Sequence, residues 1–121
     1  MAKILVVDDN RDLADLLVWL LRDEGHCVTA AYNGPSALIE AASLMPHAIL
    51  LDISLPSISG IEVAKRLRLE EGRSLRLIAY TALPRDDLRD QQMRRAGFDY
   101  VLTKPATLQN IIEALGSLPA N

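Results

Sequence analysis

The chain has 121 residues, 13 lysines and arginines against 16 aspartates and glutamates, a net charge of −3, and one cysteine in a half-hydrophobic composition. A chain this long buries roughly two-thirds of its unfolded surface, enough for one core and too little for two, so one domain over residues 1–121 is expected. Cys27 alone excludes an intrachain disulfide or a cysteine-based zinc site, mild acidity with few aromatics argues against direct nucleic-acid binding, and the longest apolar run, Leu16 to Leu21, is too short for a membrane span.

Met1-Ala2-Lys3 leads without a signal peptide into the first core-like run, Ile4-Leu5-Val6-Val7, so a reducing cytoplasm is the expected compartment. The period then becomes helical in Leu13, Leu16, Leu17, Leu20 and Leu21, with Asn10 placed to cap the helix and Gly25 to end it. Trp19 lies off that stripe and is expected to be partly buried under a neighbouring side chain. Cys27 to Ala31 is a weaker strand suited to a sheet edge, with Cys27 itself read as a small core hydrophobe. Gly34-Pro35 offers an N-cap and a first-turn proline for a second helix, and Ala48-Ile49-Leu50-Leu51 follows as a strand. A third helix is expected over about 59–69 with Val63, Ala64 and Leu67 inward and Gly72 in the turn beyond it. After the strand Leu77 to Tyr80, a helix from Arg85 to Ala96 offers only Leu88, Met93 and Ala96 against many charges, so it should be the one least firmly held. Tyr100-Val101-Leu102 forms the last strand, and Leu108, Ile111, Ile112 and Leu115 stripe the last helix. Arg66, Arg68, Arg73 and Arg76 read as a solvated rim.

Strands that are apolar throughout are buried on both faces, which is the pattern of a parallel sheet covered by helices. Five strands alternating with five helices, joined by right-handed crossovers, give a (βα)5 three-layer α/β sandwich. Such sheets place their sites beyond the carboxyl ends of the strands. His26 and His47 fall at the opposite end and are not expected to carry chemistry.

The strand ends hold Asp8-Asp9, Asp52, Thr81-Ala82 and Lys104-Pro105. Singly, each has an ordinary reading: an aspartate caps a helix, and a lysine before proline sits at the surface. Together they say more. If the sheet order puts the first and third strands side by side, Asp8, Asp9 and Asp52 crowd one pocket and repel one another. One lysine does not neutralise three carboxylates, whereas hard oxygen ligands with room for water and a phosphate suit Mg²⁺. The pattern is that of a metal-assisted phosphate site.

At these residues the sequence resembles the receiver domains of two-component response regulators. The matching segments are Val6-Val7-Asp8-Asp9-Asn10, Leu51-Asp52-Ile53-Ser54-Leu55-Pro56 with Ser59-Gly60, Tyr80-Thr81-Ala82, and Ala96-Gly97-Phe98-Asp99 leading to Thr103-Lys104-Pro105. The resemblance covers nearly the whole chain and implies a flavodoxin-like fold with strand order 2-1-3-4-5, and phosphorylation of one aspartate by a histidine kinase or histidine phosphotransfer domain with Mg²⁺. By position it implies Asp52 as phosphoacceptor, Asp9, Asp52 and the Ser54 backbone carbonyl as direct metal ligands, and Asp8 acting largely through water. It assigns Lys104 to Asp52 and later to the phosphoryl group, Thr81 to a hydrogen bond with that group, small Ala82 to donor access, and a cis bond to Pro105. The family's switch aromatic is replaced by Val101; Tyr100, one residue earlier, should face the other way by strand alternation. Receivers joined to sensor kinases often share this feature, so a hybrid-kinase origin fits the resemblance. Leu83 cannot orient a hydrolytic water and Ser54 does so only weakly, which implies slow to moderate self-dephosphorylation. The implied partner surface is the face of the fourth helix, fifth strand and fifth helix, which also leaves a homodimer open.

Three rivals are weaker. A flavin- or nucleotide-binding module needs a phosphate-friendly loop after the first strand, where this chain has Asp8-Asp9-Asn10-Arg11-Asp12. An aspartate-nucleophile phosphatase needs a general acid two residues past the nucleophile, where this chain has Ser54. A degenerate receiver acting only as an interaction module would not need the full set of acidic, hydroxyl and basic groups found here.

Overall fold

The computed structural model describes residues 2–71, 74–84 and 86–116. Five strands, β1 (Lys3–Val7), β2 (Cys27–Ala31), β3 (Ala48–Asp52), β4 (Arg76–Thr81) and β5 (Tyr100–Thr103), alternate with five helices, α1 (Arg11–Asp23), α2 (Gly34–Leu44), α3 (Gly60–Glu71), α4 (Asp87–Ala96) and α5 (Leu108–Leu115). All strand pairs are parallel and the order is β2-β1-β3-β4-β5, the flavodoxin-like arrangement that the resemblance implied.

Alternate residues of each central strand feed two core layers. Ile4, Val6, Leu50, Ile78 and Tyr80 pack with α1 and α5, while Leu5, Val7, Ile49, Leu51, Leu77 and Ala79 pack with α2, α3 and α4. This is the two-faced burial that continuous apolar strands dictate. The predicted inward residues of α3, Val63, Ala64 and Leu67, are all fully buried.

The helix starts follow local chemistry, with one shift. Asn10 caps α1 by accepting from the Leu13 amide at 3.2 Å. For α2 the cap is Asn33, which accepts from Ser36 at 2.8 Å, and Gly34 is the first helical residue rather than the cap. Asparagine satisfies an amide that glycine leaves open. Helix α3 runs two residues beyond the expected Leu69, and both Gly72 and the expected α4 start at Arg85 lie outside the described residues.

Several side chains differ from expectation. The buried arc of α1 is Ala14, Leu17, Val18 and Leu21, which leaves Leu16 half exposed and Trp19 at 66 % exposure, not tucked under a neighbour. Cys27 is exposed because it opens the edge strand, paired only with Lys3 at the sheet's rim. Leu88 points outward, so Met93 and Ala96 alone anchor α4 among its buried residues, a thinner face than predicted. Of the supposed basic rim, Arg66 is solvated and pairs with Glu62 at 3.3 Å, and Arg73 lies outside the described residues. Arg68 and Arg76 are structural. Arg68 donates to the Gly97 carbonyl at 2.9 and 2.7 Å and pairs with Asp99 at 2.7 Å, while Arg76 donates to the Leu115 carbonyl at the end of α5. Their guanidinium forks satisfy carbonyls at turns and helix ends that would otherwise be orphaned.

Candidate functional site

The strand order places the carboxyl ends of β1 and β3 side by side, with Val7 opposite Leu51. Asp8 follows β1, its amide bonded to the Ala31 carbonyl at 3.1 Å, and Asp52 ends β3. Among the described residues the buried polar side chains are Asp8, Asp52 and Thr81, and all three belong to this end of the sheet. Asp9 is exposed beside them. One carboxylate oxygen from each of Asp8, Asp9 and Asp52 lies within 4.8 Å of the others.

Lys104 reaches into this cluster. Its Nζ donates to Asp8 Oδ2 at 2.9 Å and to Asp52 Oδ2 at 3.3 Å, so it bridges both buried carboxylates rather than serving Asp52 alone. The Lys104–Pro105 peptide bond is cis, as expected. The remaining oxygens are held by backbone amides: Asn10 donates to Asp8 Oδ1 at 3.0 Å, and Ser54 to Asp52 Oδ1 at 3.1 Å. Burial pushes the Asp52 carboxyl above the usual carboxylate range and the Asp8 charge adds to this, against the opposing pull of the Ser54 amide and the Lys104 ammonium. Burial alone would lower Lys104, but its bond to Asp8 and the charges of both carboxylates outweigh that and hold it above an ordinary lysine.

Thr81 ends β4. Its Oγ1 accepts from the Leu83 amide at 3.1 Å, leaving the hydroxyl proton to donate elsewhere, and its carbonyl accepts from the Lys104 amide at 2.7 Å. Ala82 and Leu83 are exposed beyond it. Val101 is partly buried in the α2–α3–α4 layer, whereas Tyr100 lies under Arg76, 5.8 Å from guanidinium to ring centroid, on the other face. The alternation argument that separated these two residues is borne out.

Two contributors escaped the sequence reading of chemistry. A β-carbon on Gly60 would lie 2.3 Å from the Asp52 carbonyl oxygen and 2.7 Å from Ile53 Cα, so the start of α3 can approach the Asp52 backbone only with glycine there. A glycine opening a helix soon after an acidic strand end was the available signal. Tyr80, the last apolar residue before Thr81, lies with its ring 5.1 Å from Lys104 Nζ; as one apolar residue of a strand-like run it carried no mark that its ring would face the ammonium.

The donor set fits a hard divalent cation. All the side-chain donors are carboxylate oxygens, and three carboxylates against one ammonium leave two formal negative charges to neutralise. A cavity of about 670 Å³ between α3 and α4 lies elsewhere, lined by Arg68, Arg94, Arg95 and Phe98 and by none of the acidic cluster.

The chain matches the family model of the response regulator receiver domain over residues 4–116. It is 39 % identical over 113 residues to the sensory transduction protein RegX3 of Mycolicibacterium smegmatis, covering 93 % of this chain and 48 % of that protein. An uncharacterized 14.6 kDa protein of Leptolyngbya boryana is 43 % identical over 103 residues, covering 84 % of this chain and 78 % of that one. The chain thus spans about half the length of the regulatory relatives such as RegX3. Among solved structures, the Vibrio cholerae chemotaxis protein CheY4 superposes with a TM-score of 0.89 at 26 % identity, over 95 % of this chain and 96 % of that one. A response regulator from Burkholderia pseudomallei, solved with a phosphorylated aspartic acid, calcium ion and citrate, gives 0.88 at 28 % identity, over 97 % and 68 %.

Proposed function

Because this chain belongs to the response regulator receiver domain family, we propose that it accepts a phosphoryl group on Asp52 from a histidine kinase or histidine phosphotransfer domain, as one domain acting in the cytoplasm. The observation that carries this reading is the pair of buried carboxylates, Asp8 and Asp52, sharing the Lys104 ammonium beside exposed Asp9. Burying like charges is costly, and a fold that does so gains nothing from it in stability alone.

Asp9, Asp52 and the Ser54 backbone carbonyl would hold Mg²⁺ directly, with Asp8 acting through water. The bound ion supplies positive charge that offsets repulsion between the carboxylates and an incoming phosphoryl group. The chain's own groups do the rest. Asp52 attacks phosphorus in line; the new O–P bond forms as the P–N bond breaks, and its electron pair leaves on the imidazole nitrogen. The Ser54 amide holds one Asp52 oxygen at 3.1 Å, restricting the carboxylate's rotation. Lys104 moves its hydrogen bond from Asp52 to a phosphoryl oxygen, a point-charge task that suits an ammonium. The free Thr81 hydroxyl proton donates to the phosphoryl group, drawing the Thr81–Leu83 turn inward. The change then biases the α4–β5–α5 face, whose α4 is the thinly anchored helix, and so selects among partners. Without a general acid at Ser54, Asp52 accepts only from donors with good leaving groups. The domain therefore assists its own phosphorylation and dephosphorylation and turns over no other substrate.

The test is addition of Mg²⁺ and a beryllofluoride phosphoryl mimic, followed by amide NMR. The reading expects shifts at Asp52, Thr81 and Lys104 extending to Val101 and α4, and none in Asp52→Ala. Equal shifts in Asp52→Ala would overturn it.

A further inference from the structure

We infer that Tyr80 is a positioning residue for Lys104, its ring face holding the ammonium in place while the two carboxylates change partners. The inference rests on the reading of Asp52 as phosphoacceptor. Tyr80 is 5 % exposed, directly opposite Asp52 in the β3–β4 register and beside Leu102 of β5. Its ring is fixed in the α1–α5 core layer, which contains Ile78 and Ile111. Lys104 Nζ stands over that ring, 5.1 Å from the centroid, inside the range of about 6 Å in which the negative face of an aromatic attracts a cation. The ammonium is thus held by Asp8, Asp52 and the ring.

These three contacts differ in what competes for them. Asp8 and Asp52 are also the groups a divalent cation would engage, and Asp52 is the group that becomes esterified. Each event withdraws negative charge from Lys104. The Tyr80 ring takes part in none of them, because its attraction is to its π face and it offers a hard cation no carboxylate. It is the contact that persists while Lys104 transfers its hydrogen bond from Asp52 to the phosphoryl oxygen. An aliphatic residue in the same place would fill the layer without attracting the charge. The hydroxyl has no part in this, so phenylalanine should serve as well.

The test is a cycle of Tyr80→Phe, Tyr80→Leu, Lys104→Met and the Leu/Met double variant, read in two ways. Without metal or phosphodonor, the Lys104 ε-methylene and ammonium resonances should be displaced upfield by the ring in the wild type and Tyr80→Phe, and return towards ordinary lysine positions in Tyr80→Leu. In Mg²⁺-dependent labelling by acetyl phosphate, Tyr80→Leu should be about 2- to 30-fold slower and Tyr80→Phe within about 2-fold of wild type. In the Lys104→Met background, Tyr80→Leu should cost nothing further. Ordinary Lys104 shifts in the wild type would overturn the inference, even if Tyr80→Leu failed to fold. So would an equal slowing by Tyr80→Leu with and without Lys104, which would mark a packing defect. If the wild type took no label, the phosphoacceptor reading would fall, while the Lys104 shifts would still decide whether the ring holds the ammonium.

Discussion

Gly60 and Asp52 are eight residues apart in the chain, yet a β-carbon on Gly60 would sit 2.3 Å from the Asp52 carbonyl oxygen. The Gly60 amide also donates to the Ile53 carbonyl at 2.9 Å, so the loop after β3 closes back on the residue it must position. Backbone atoms cannot yield as a flexible side chain can. Gly60→Ala is expected to cost about 1–3 kcal/mol in urea denaturation and to slow Asp52 labelling as the loop is displaced. An unchanged denaturation midpoint would show that the loop has slack.

The raised Asp52 carboxyl makes a statement about stability. A group whose native pKa lies above its unfolded value favours the fold most where it is protonated, and that contribution is lost as pH rises through the native pKa. Asp52→Asn, which cannot ionise, should therefore melt higher than wild type at neutral pH without metal. The difference should shrink as pH falls to the ordinary carboxylate range. Mg²⁺ should raise the wild-type melting temperature and have much less effect on Asp52→Asn. Differential scanning fluorimetry across pH checks both.

Lys104 answers two buried carboxylates at once. Lys104→Met leaves them facing each other, so it should lower stability by about 1–3 kcal/mol in chelator and regain much of that in Mg²⁺. Equal destabilisation with and without the ion would show that the lysine and the cation do not share a task.

Arg68 ties α3 to the turn between α4 and β5. Its guanidinium is bonded to the Gly97 carbonyl and to Asp99, which in turn accepts from the Leu77 amide at 2.9 Å. With its side chain only 18 % exposed, Arg68→Leu should cost about 2 kcal/mol and speed amide exchange around Gly97 to Asp99. A solvated arginine would show neither effect.

Trp19 gives the opposite case. At 66 % exposure, Trp19→Ser should move stability by no more than about 0.5 kcal/mol, and wild-type fluorescence should resemble that of free tryptophan.

The contrast between these residues shows what was legible beforehand. The (βα)5 alternation follows from where apolar runs stop, whereas the strand order that brings Asp8, Asp9 and Asp52 together was implied by the family resemblance, since apolar runs alone do not say which parallel strands are neighbours. Periodicity on α1 marked an apolar stripe but not its edge, so it misplaced Leu16 and Trp19. Composition could not separate Arg68 from Arg66, since only tertiary contact reveals which guanidinium meets orphaned carbonyls. The nearness of Tyr80 to Lys104 was invisible for the same reason. The assignment of Asp52 as the group that reacts came from family resemblance; burial does not single it out, because Asp8 is buried just as deeply.

The most direct test of the account is to locate a trapped acyl phosphate. The protein is incubated with Mg²⁺ and acetyl phosphate, the product is reduced with borohydride, and the peptides are sequenced by mass spectrometry. The account predicts one modified residue, Asp52, dependent on Mg²⁺. Modification at Asp8 or Asp9 with Asp52 intact, or no modification of a protein shown to bind Mg²⁺, would contradict it.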